Sequence, residues 1–261
     1  MAAVGDFGLF TSKNGIAVST DGGHTFTAMD AQLKTDARYG AFPSATTFYV
    51  SAGNWPGEGD DDAAPKDDDN NTFEELITRK SRRISVRKNS KGDVRAVYER
   101  VPAYRAANET FEAEISKSTD GGKTWTQQFY STEFYFNGGD CASETECCFA
   151  GEADAGTAPG ARIYCTKDGG STWTKNYFQA GAQYSLLDLR YDGTGYWAVG
   201  GIESAFSMDS TFLFSADGAS WAPVTGPKGM YVTSVDCAGP TSCWATAVEI
   251  SQQSNVLALS A

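Results

Sequence analysis

The chain has 261 residues, of which 41% are hydrophobic and 13% aromatic, so it is long enough to bury a sizeable core. Its formal net charge of −12 and its isoelectric point near 4.5 argue against nucleic acid as a partner. The longest apolar runs are too short to span a bilayer, and no charged-then-apolar leader follows Met1. We therefore expect one domain over residues 1–261 that is either cytosolic or a processed or truncated chain.

One short motif recurs along the chain. It consists of Ser or Thr, an Asp two residues later, glycine, and finally an aromatic residue, and its clear copies are 19–26, 118–125, 166–173 and the shortened 215–221. The last three aromatic residues lie 48 residues apart, whereas Phe26 precedes Trp125 by 99 residues, close to two such periods. A fifth, degenerate copy is therefore expected at 68–73.

Each copy has the chemistry of a structural turn. The carboxylate accepts backbone N–H groups across the turn, and glycine tolerates a positive φ. The β-branched and aromatic residues that follow favour a strand that packs between sheets. A structural role is thus assigned to the aspartates Asp21, Asp68, Asp120, Asp168 and Asp217 and to the aromatic residues Phe26, Trp125, Trp173 and Trp221.

A period in the forties built from short strands is typical of a β-propeller, in which each repeat is one four-stranded blade. The motif resembles the Asp-box, or bacterial neuraminidase repeat, of sialidases, sortilin-type receptors, some xyloglucan hydrolases and photosystem II assembly-factor propellers. With the W-A-V-G segment at 197–200, the repeat style is most similar to the photosystem II assembly-factor family and to secreted repeat propellers. The resemblance covers nearly the whole chain. It implies an all-β propeller whose boxes lie on outer hairpins, away from the central site.

The strands predicted from alternation follow the repeats. The first repeat opens at its second strand, near residues 3–5. Later strands are expected at 15–20, 38–42, 47–52, 133–137, 147–151, 161–166, 172–178, 184–191, 196–200, 211–215, 221–224, 231–237, 243–249 and 256–261. About five to six repeats are visible. Either the chain is a fragment of a larger propeller, or the C-terminal strands complete the open first blade.

An acidic segment interrupts the second repeat. Residues 54–72 contain turn formers and carboxylates without apolar periodicity, which predicts a loop. The carboxylates between Asp60 and Asp69 could hold Ca²⁺, but they lack the alternating spacing of a dedicated calcium loop. We expect a solvated loop, with calcium as the alternative and no other cofactor.

The charge reverses directly afterwards. Ten of the 21 Lys and Arg residues lie between Arg79 and Arg105, opposed only by Asp93 and Glu99. The segment predicts a hairpin with strands at 83–88 and 94–101. In one interpretation the hairpin and the acidic loop neutralise each other. In the other, its arginines bind a carboxylate-rich protein partner, for which the candidates are Arg79, Arg82, Arg83 and Arg87.

The six cysteines favour an oxidising compartment. The spacing C-x5-C occurs at equivalent points of two repeats, which indicates two hairpin disulfides, and the remaining two cysteines lie on consecutive strands. Among the fifteen pairings that six cysteines allow, the repeat favours Cys141 with Cys147, Cys237 with Cys243, and Cys148 with Cys165. The alternative is buried free thiols in a cytosolic protein.

No catalytic constellation is visible. His24 is the only histidine and lies in a turn of the repeat, and no nucleophile elbow, histidine metal pair or phosphate loop is present. Asn70 and Asn108 match the N-glycosylation pattern, which is too short to distinguish from coincidence. We expect no catalytic residue and no metal ligand.

Two classes of function remain. The first is a non-catalytic propeller, secreted or in an organelle lumen such as the thylakoid lumen, that binds or helps assemble a protein partner, either an acidic protein or a subunit of a membrane complex. The second is a glycoside hydrolase of sialidase or xyloglucanase type, which rests only on the shared boxes.

Overall fold

The computed structural model describes residues 2–5, 15–30, 33–35, 37–54, 83–88, 94–99, 110–203, 208–249 and 252–259. The chain divides into two compact units, one of residues 1–55 with 110–261 and one of residues 56–109. The expectation of a single domain stays a prediction. The acidic loop after Asn54, with Asp68 and Phe73, lies outside the described residues.

Every regular element of the described residues is a β-strand. The first half contains β1 (Ala2–Gly5), β2 (Gly15–Val18), β3 (Thr27–Asp30), β4 (Ala37–Ala41), β5 (Phe48–Asn54), β6 (Arg83–Lys88), β7 (Val94–Glu99), β8 (Glu112–Ser118), β9 (Thr126–Ser131) and β10 (Tyr135–Cys141). The second half contains β11 (Cys147–Ala153), β12 (Gly160–Thr166), β13 (Thr174–Ala180), β14 (Tyr184–Tyr191), β15 (Tyr196–Glu203), β16 (Met208–Ser215), β17 (Ala222–Val224), β18 (Met230–Gly239), β19 (Ser242–Glu249) and β20 (Gln252–Leu259).

The larger unit consists of five antiparallel sheets, each built from strands in chain order. Three have four strands and two have three. We number them sheet 1 (β1-β2-β3), sheet 2 (β4-β5-β8-β9), sheet 3 (β10-β11-β12-β13), sheet 4 (β14-β15-β16-β17) and sheet 5 (β18-β19-β20). The smaller unit contains the hairpin β6-β7, whose strands match the predicted ones apart from an earlier end at Glu99.

The sheets stack as blades of a β-propeller. The first strands of sheets 2 to 5, which we call the inner strands, contact one another in sequence, β4 with β10, β10 with β14 and β14 with β18. A hydrophobic cluster fills each space between consecutive sheets, with buried residues such as Ile16, Phe136, Leu186 and Val235. The fold is therefore all-β and of propeller type, as the sequence predicts.

The described part of the 99-residue stretch from Phe26 to Trp125 does not contain an additional blade. Strand β5 pairs directly with β8, Asn54 opposite Glu112, so residues 56–109 interrupt one sheet between its second and third strands. Strands β18 to β20 form a sheet of their own, so they do not complete sheet 1. The alternative in which the C-terminal strands complete the first blade is therefore wrong, and the motif copy at 68–73, which lies outside the described residues, stays a prediction.

The four clear motif copies fold as hydrogen-bonded turns, which we call the aspartate turns (19–26, 118–125, 166–173 and 215–221). In the third turn, Thr166 Oγ1 donates to Asp168 Oδ1 at 2.8 Å and accepts a bond from Gly170 N at 2.9 Å. The Asp168 carboxylate also accepts from the backbone N and the hydroxyl of Thr172, at 2.9 and 2.7 Å. The first and second turns repeat these contacts.

The carboxylate bonds keep the turn aspartates ionised. The hydroxyl and backbone N–H of the following threonine lower the pKa of Asp120 and Asp168 from 3.8 to about 2, and lower that of Asp21 as well. The fourth turn lacks this threonine, and the backbone N–H groups of Ala219 and Ser220 lower the pKa of Asp217 instead. The paired glycines adopt positive φ, 75° and 88° at Gly121 and Gly122.

Three disulfides join the predicted cysteine pairs. They link Cys141 with Cys147, Cys148 with Cys165, and Cys237 with Cys243, and the described residues contain no free cysteine. Two of them close the hairpins β10-β11 and β18-β19 at equivalent positions. The third joins directly opposed residues of β11 and β12. The repeat-based pairing is therefore confirmed.

Replacing Asp168 with alanine removes an acceptor of three hydrogen bonds, so we expect the melting temperature at neutral pH to fall by a few degrees. The native pKa lies below the unfolded one, so this stabilisation is present above about pH 4 and is lost as the pH falls through about 2. The difference between wild type and Asp168→Ala should shrink across that interval. The control is Asp154→Ala, an exposed carboxylate between β11 and β12. Equal melting temperatures for both variants would contradict the role of the turn.

Candidate functional site

A β-bulge recurs at the same position of all four inner strands. The register shifts at Arg38 in β4, Asn137 in β10, Leu187 in β14 and Thr233 in β18. A bulge inserts one residue and turns the side chains beside it away from the regular alternation. The inner strands therefore present side chains that the alternating pattern of the sequence does not predict.

Asp188 follows the bulge of β14 and connects sheet 4 to sheet 5. Its Oδ2 accepts from Ser234 Oγ at 2.6 Å and from Val235 N at 3.1 Å, and its Oδ1 accepts from Leu189 N at 2.9 Å. Arg190 Nη1 lies 3.2 Å from Oδ1. Burial raises the pKa of Asp188, while the Arg190 charge and these hydrogen bonds act against that rise. The carboxylate thus serves as a clamp between two blades.

Asp140 has the same kind of role between sheets 3 and 4. Its Oδ2 accepts from Tyr191 N on β14 at 2.9 Å, and its Oδ1 accepts from Cys141 N at 2.8 Å. Burial raises its pKa too. Both inner-strand carboxylates are occupied by backbone N–H groups of the neighbouring sheet, an arrangement that positions strands and leaves little capacity for proton transfer to a ligand.

Tyr135 and Glu152 form a buried pair beside these clamps. The Tyr135 hydroxyl donates to Glu152 Oε1, and only 1% of the Tyr135 surface is exposed. Its ring stacks on Phe111, with centroids 6.0 Å apart. Burial, followed by the Glu152 charge, raises the pKa of Tyr135 strongly. The hydroxyl therefore stays protonated and enclosed.

Arg38 is a cation whose guanidinium N–H groups are available as hydrogen-bond donors. Its guanidinium lies 5.3 Å from the centroid of the Tyr135 ring, a cation–π contact, and its side chain is half-buried. Among the described residues it makes no hydrogen bond or ion pair. Burial raises the pKa of the neighbouring Tyr39, and the charges of Arg38, Asp188, Arg190 and Glu152 also act on it. We call these side chains, with Tyr135, the inner-strand cluster.

The residues singled out from the sequence lie elsewhere. Arg83 and Arg87 are on β6, opposite Glu99 and Arg95 in the hairpin register, and no side chain of this hairpin is described. Arg79, Arg82, the carboxylates from Asp60 to Asp69 and the two glycosylation asparagines are outside the described residues. His24 is exposed in the first aspartate turn. The partner-binding and calcium expectations stay predictions.

Sequence reasoning missed the inner-strand cluster. One signal was present, because Asp188 and Arg190 interrupt the apolar run of β14 and Asp140 directly precedes a hairpin cysteine. Within the described part of the chain, no three His, Cys, Asp or Glu side chains are grouped as a metal site requires. A search of the same residues for a helix able to cross a membrane finds none.

No family model matches the chain, and no curated protein matches its sequence. Among solved structures it is similar to a protein of unknown function from Dyadobacter fermentans, with 16% identity and a TM-score of 0.38 over 66% of this chain. It is also similar to the GH74 xyloglucanase from Xanthomonas campestris, with 10% identity and a TM-score of 0.42 over 85% of this chain. It spans 63% of the first protein and 36% of the second.

A third similar structure is YCF48 bound to D1 peptide, with 12% identity and a TM-score of 0.31 over 91% of this chain and 85% of that one. At these identities and TM-scores the likeness carries no argument about activity.

Asp188→Ala should lower the free energy of unfolding by roughly 3 kcal/mol, because it leaves buried donors and Arg190 without their acceptor. Asp188→Asn keeps one acceptor oxygen and should lose less. Ser234→Ala removes a single donor and should cost about 1 kcal/mol. Denaturant unfolding of the three variants measures these losses. A clamp role is refuted if Asp188→Ala is no less stable than Ser234→Ala.

Proposed function

We propose that this chain is a non-catalytic propeller of the Asp-box superfamily that binds or helps assemble an acidic protein partner in an oxidising compartment outside the cytosol. The observation that carries the proposal is that the carboxylates around the inner-strand cluster already have donors, whereas one guanidinium has no acceptor among the described residues. The carboxylates of Asp188 and of nearby Asp140 clamp neighbouring sheets and Glu152 accepts from Tyr135, whereas the Arg38 guanidinium has donors available. Such a site can bind a carboxylate but offers no accessible acid and base.

The geometry of the aspartate turns supports the superfamily assignment. Three turns share one hydrogen-bond pattern, in which the first Ser or Thr, the Asp and the last Thr are joined through the same atoms. The second, third and fourth turns follow the third strands of sheets 2 to 4, and the first follows β2. Among the described residues, the side-chain hydrogen bonds of the four aspartates stay within their own turns. Their role is to stabilise the blades, so partner binding is assigned to other residues.

The basic hairpin supplies the second group of arginines. Arg79, Arg82, Arg83 and Arg87 carry charge that a chain of net −12 needs if it is to attract an acidic partner. Arginine binds carboxylates in a bidentate manner, which gives orientation as well as attraction. A secreted protein and a lumenal assembly factor would both use such a surface.

The disulfides support the compartment. Three bridges in a single chain form and persist where thiols are oxidised, as in secreted or lumenal proteins. The secretory route and an organelle lumen, such as that of the thylakoid, satisfy this condition equally.

A glycoside hydrolase of sialidase or xyloglucanase type is the second candidate, and the Tyr135–Glu152 pair is the observation that favours it. Sialidase chemistry uses a tyrosine nucleophile beside a glutamate. Here the burial of the tyrosine and its raised pKa argue against nucleophilic attack. We expect no turnover of fluorogenic sialosides or β-glucans by the purified chain. Turnover that Tyr135→Phe abolishes, in a variant with a wild-type melting curve, would instead establish the hydrolase.

We expect binding of fluorescein-labelled polyglutamate to weaken at least about a hundredfold in the double variant Arg83→Glu with Arg87→Glu, since each lost charged hydrogen bond is worth about 1.5–3 kcal/mol. Arg38→Gln should weaken it as well. Added salt should weaken wild-type binding, because exposed charges are screened within ~8–10 Å. The matched control reverses Lys123 and Lys167 on two aspartate turns, and it should bind like the wild type.

Deletion of the loop from Asp60 to Asp69 separates recognition from simple neutralisation. If the arginines bind the partner, the loop competes for them and its removal should strengthen binding measured by fluorescence anisotropy. If the loop only neutralises the hairpin, affinity stays the same and solubility or stability falls slightly. Unchanged affinity together with a silent charge reversal would refute the recognition proposal.

A further inference from the structure

The second strand of each blade carries side chains that point toward the next sheet. One position on this strand lies opposite the third residue after the inner-strand bulge, and it is occupied by Tyr49, Cys148, Trp197 and Trp244 in sheets 2 to 5. In sheets 2 and 3 the side chain is fully buried by the next blade, and Trp197 is half-buried in the cluster between sheets 4 and 5. Trp244 is 46% exposed.

The position two residues further along the second strand is buried in sheets 2 to 4 and likewise exposed in sheet 5. Ser51, Ala150 and Val199 are completely buried, whereas the equivalent Thr246 is exposed. The alternation on β19 is regular, because Ala245 and Ala247 are buried against sheet 4. Within the part of the chain that the structure describes, the outward face of β18 and β19 is thus a blade interface that no blade covers.

On the same face, only one of the two Asp236 carboxylate oxygens accepts a hydrogen bond from the described residues. Asp236 occupies the position of Asp140 and accepts from Cys237 N at 3.0 Å, as Asp140 accepts from Cys141 N. The second oxygen of Asp140 accepts from the next sheet, but Asp236 is exposed and no described residue donates to its second oxygen. In this polar group the face matches the covered interface between sheets 3 and 4.

Within the described residues, sheet 1 carries one part of the complementary half, the aromatic residue of its aspartate turn. In sheets 2, 3 and 4, the aromatic residue of the aspartate turn packs into the cluster shared with the preceding sheet. Trp173, for example, contacts Tyr49 of the preceding blade edge to face, with ring centroids 6.4 Å apart. The equivalent residue of sheet 1 is Phe26, which is 47% exposed.

We propose that the Trp244 face docks on the Phe26 edge of a second copy of this chain, so that Phe26 and Trp244 reproduce between copies the contact that Trp173 and Tyr49 make within one. Both rings are exposed simultaneously in a single chain, so each is available to another molecule. The contact joins two different surfaces and is therefore heterologous, which leads to a closed ring or an open head-to-tail chain of copies. Exposed aromatic residues of this size are typical of protein interfaces.

The test is sedimentation of the full chain over a concentration series. Wild-type protein should increase in average mass with concentration, and Phe26→Asp or Trp244→Asp should each weaken self-association at least about tenfold. Thr246→Arg, a polar-to-charged change on the same face, serves as a second variant. Val224→Asp changes an exposed apolar residue on β17 and should leave the association unchanged.

Mixing the two aspartate variants gives the decisive measurement. Phe26→Asp retains an intact Trp244 face and Trp244→Asp an intact Phe26 edge, so the mixture should form heterodimers and nothing larger. This complementation also shows that both variants are folded. A wild type that stays monomeric at every concentration, including one that closes on itself, overturns the proposal. Failure of complementation between variants with native melting curves, or equal loss in Val224→Asp, overturns it as well.

Discussion

In sheets 2 to 4 of this protein, neighbouring sheets cover both faces, and this exclusion of water stabilises each of these blades. The residues between blades are small or aromatic, such as Ala150 against Leu186 and Leu189, and the sheets approach closely. At Gly138 an added Cβ would lie 2.7 Å from the Cα of Asp188, so the inner strands leave no room for a side chain there. Burial between blades therefore depends on the register of the inner strands, which the recurrent bulges set.

Polar groups hold that register where apolar packing alone would permit sliding. Asp140 and Asp188 each accept a backbone N–H from the neighbouring sheet, a contact that is made at only one register. Tyr49 and Tyr196 add hydroxyl bonds to carbonyl groups in loops of sheet 3. Placing charge here costs desolvation, and the cost is offset because each carboxylate receives several donors. Acidic residues thus stabilise the fold without being available for chemistry.

Local features were predictable from the sequence, and long-range ones were not. The aspartate turns and the paired hairpin cysteines depend on residues close in the chain, so the letters around Asp168 and Cys141 are sufficient to predict them. The inner-strand cluster depends on bulges at Arg38 and Leu187, and a single extra residue in a strand leaves no trace in an alternating pattern. The 99-residue spacing is ambiguous for a related reason. Counting residues cannot distinguish an added blade from an insertion within one sheet.

The way in which residues 56–109 are attached makes the pairing of sheet 2 independent of the inserted segment. Residues 56–109 leave and rejoin sheet 2 at Asn54 and Glu112, which are directly paired, and Asn54 Nδ2 donates to Glu112 Oε2 at 3.1 Å. The two attachment points stay together whatever lies between them, and the entropy of closing such a loop grows only slowly with its length. A hairpin of a few residues or a whole domain can be joined to the same two attachment points. The segment between Asn54 and Glu112 can therefore be replaced, in evolution or by protein engineering, without changing the strand pairing of sheet 2.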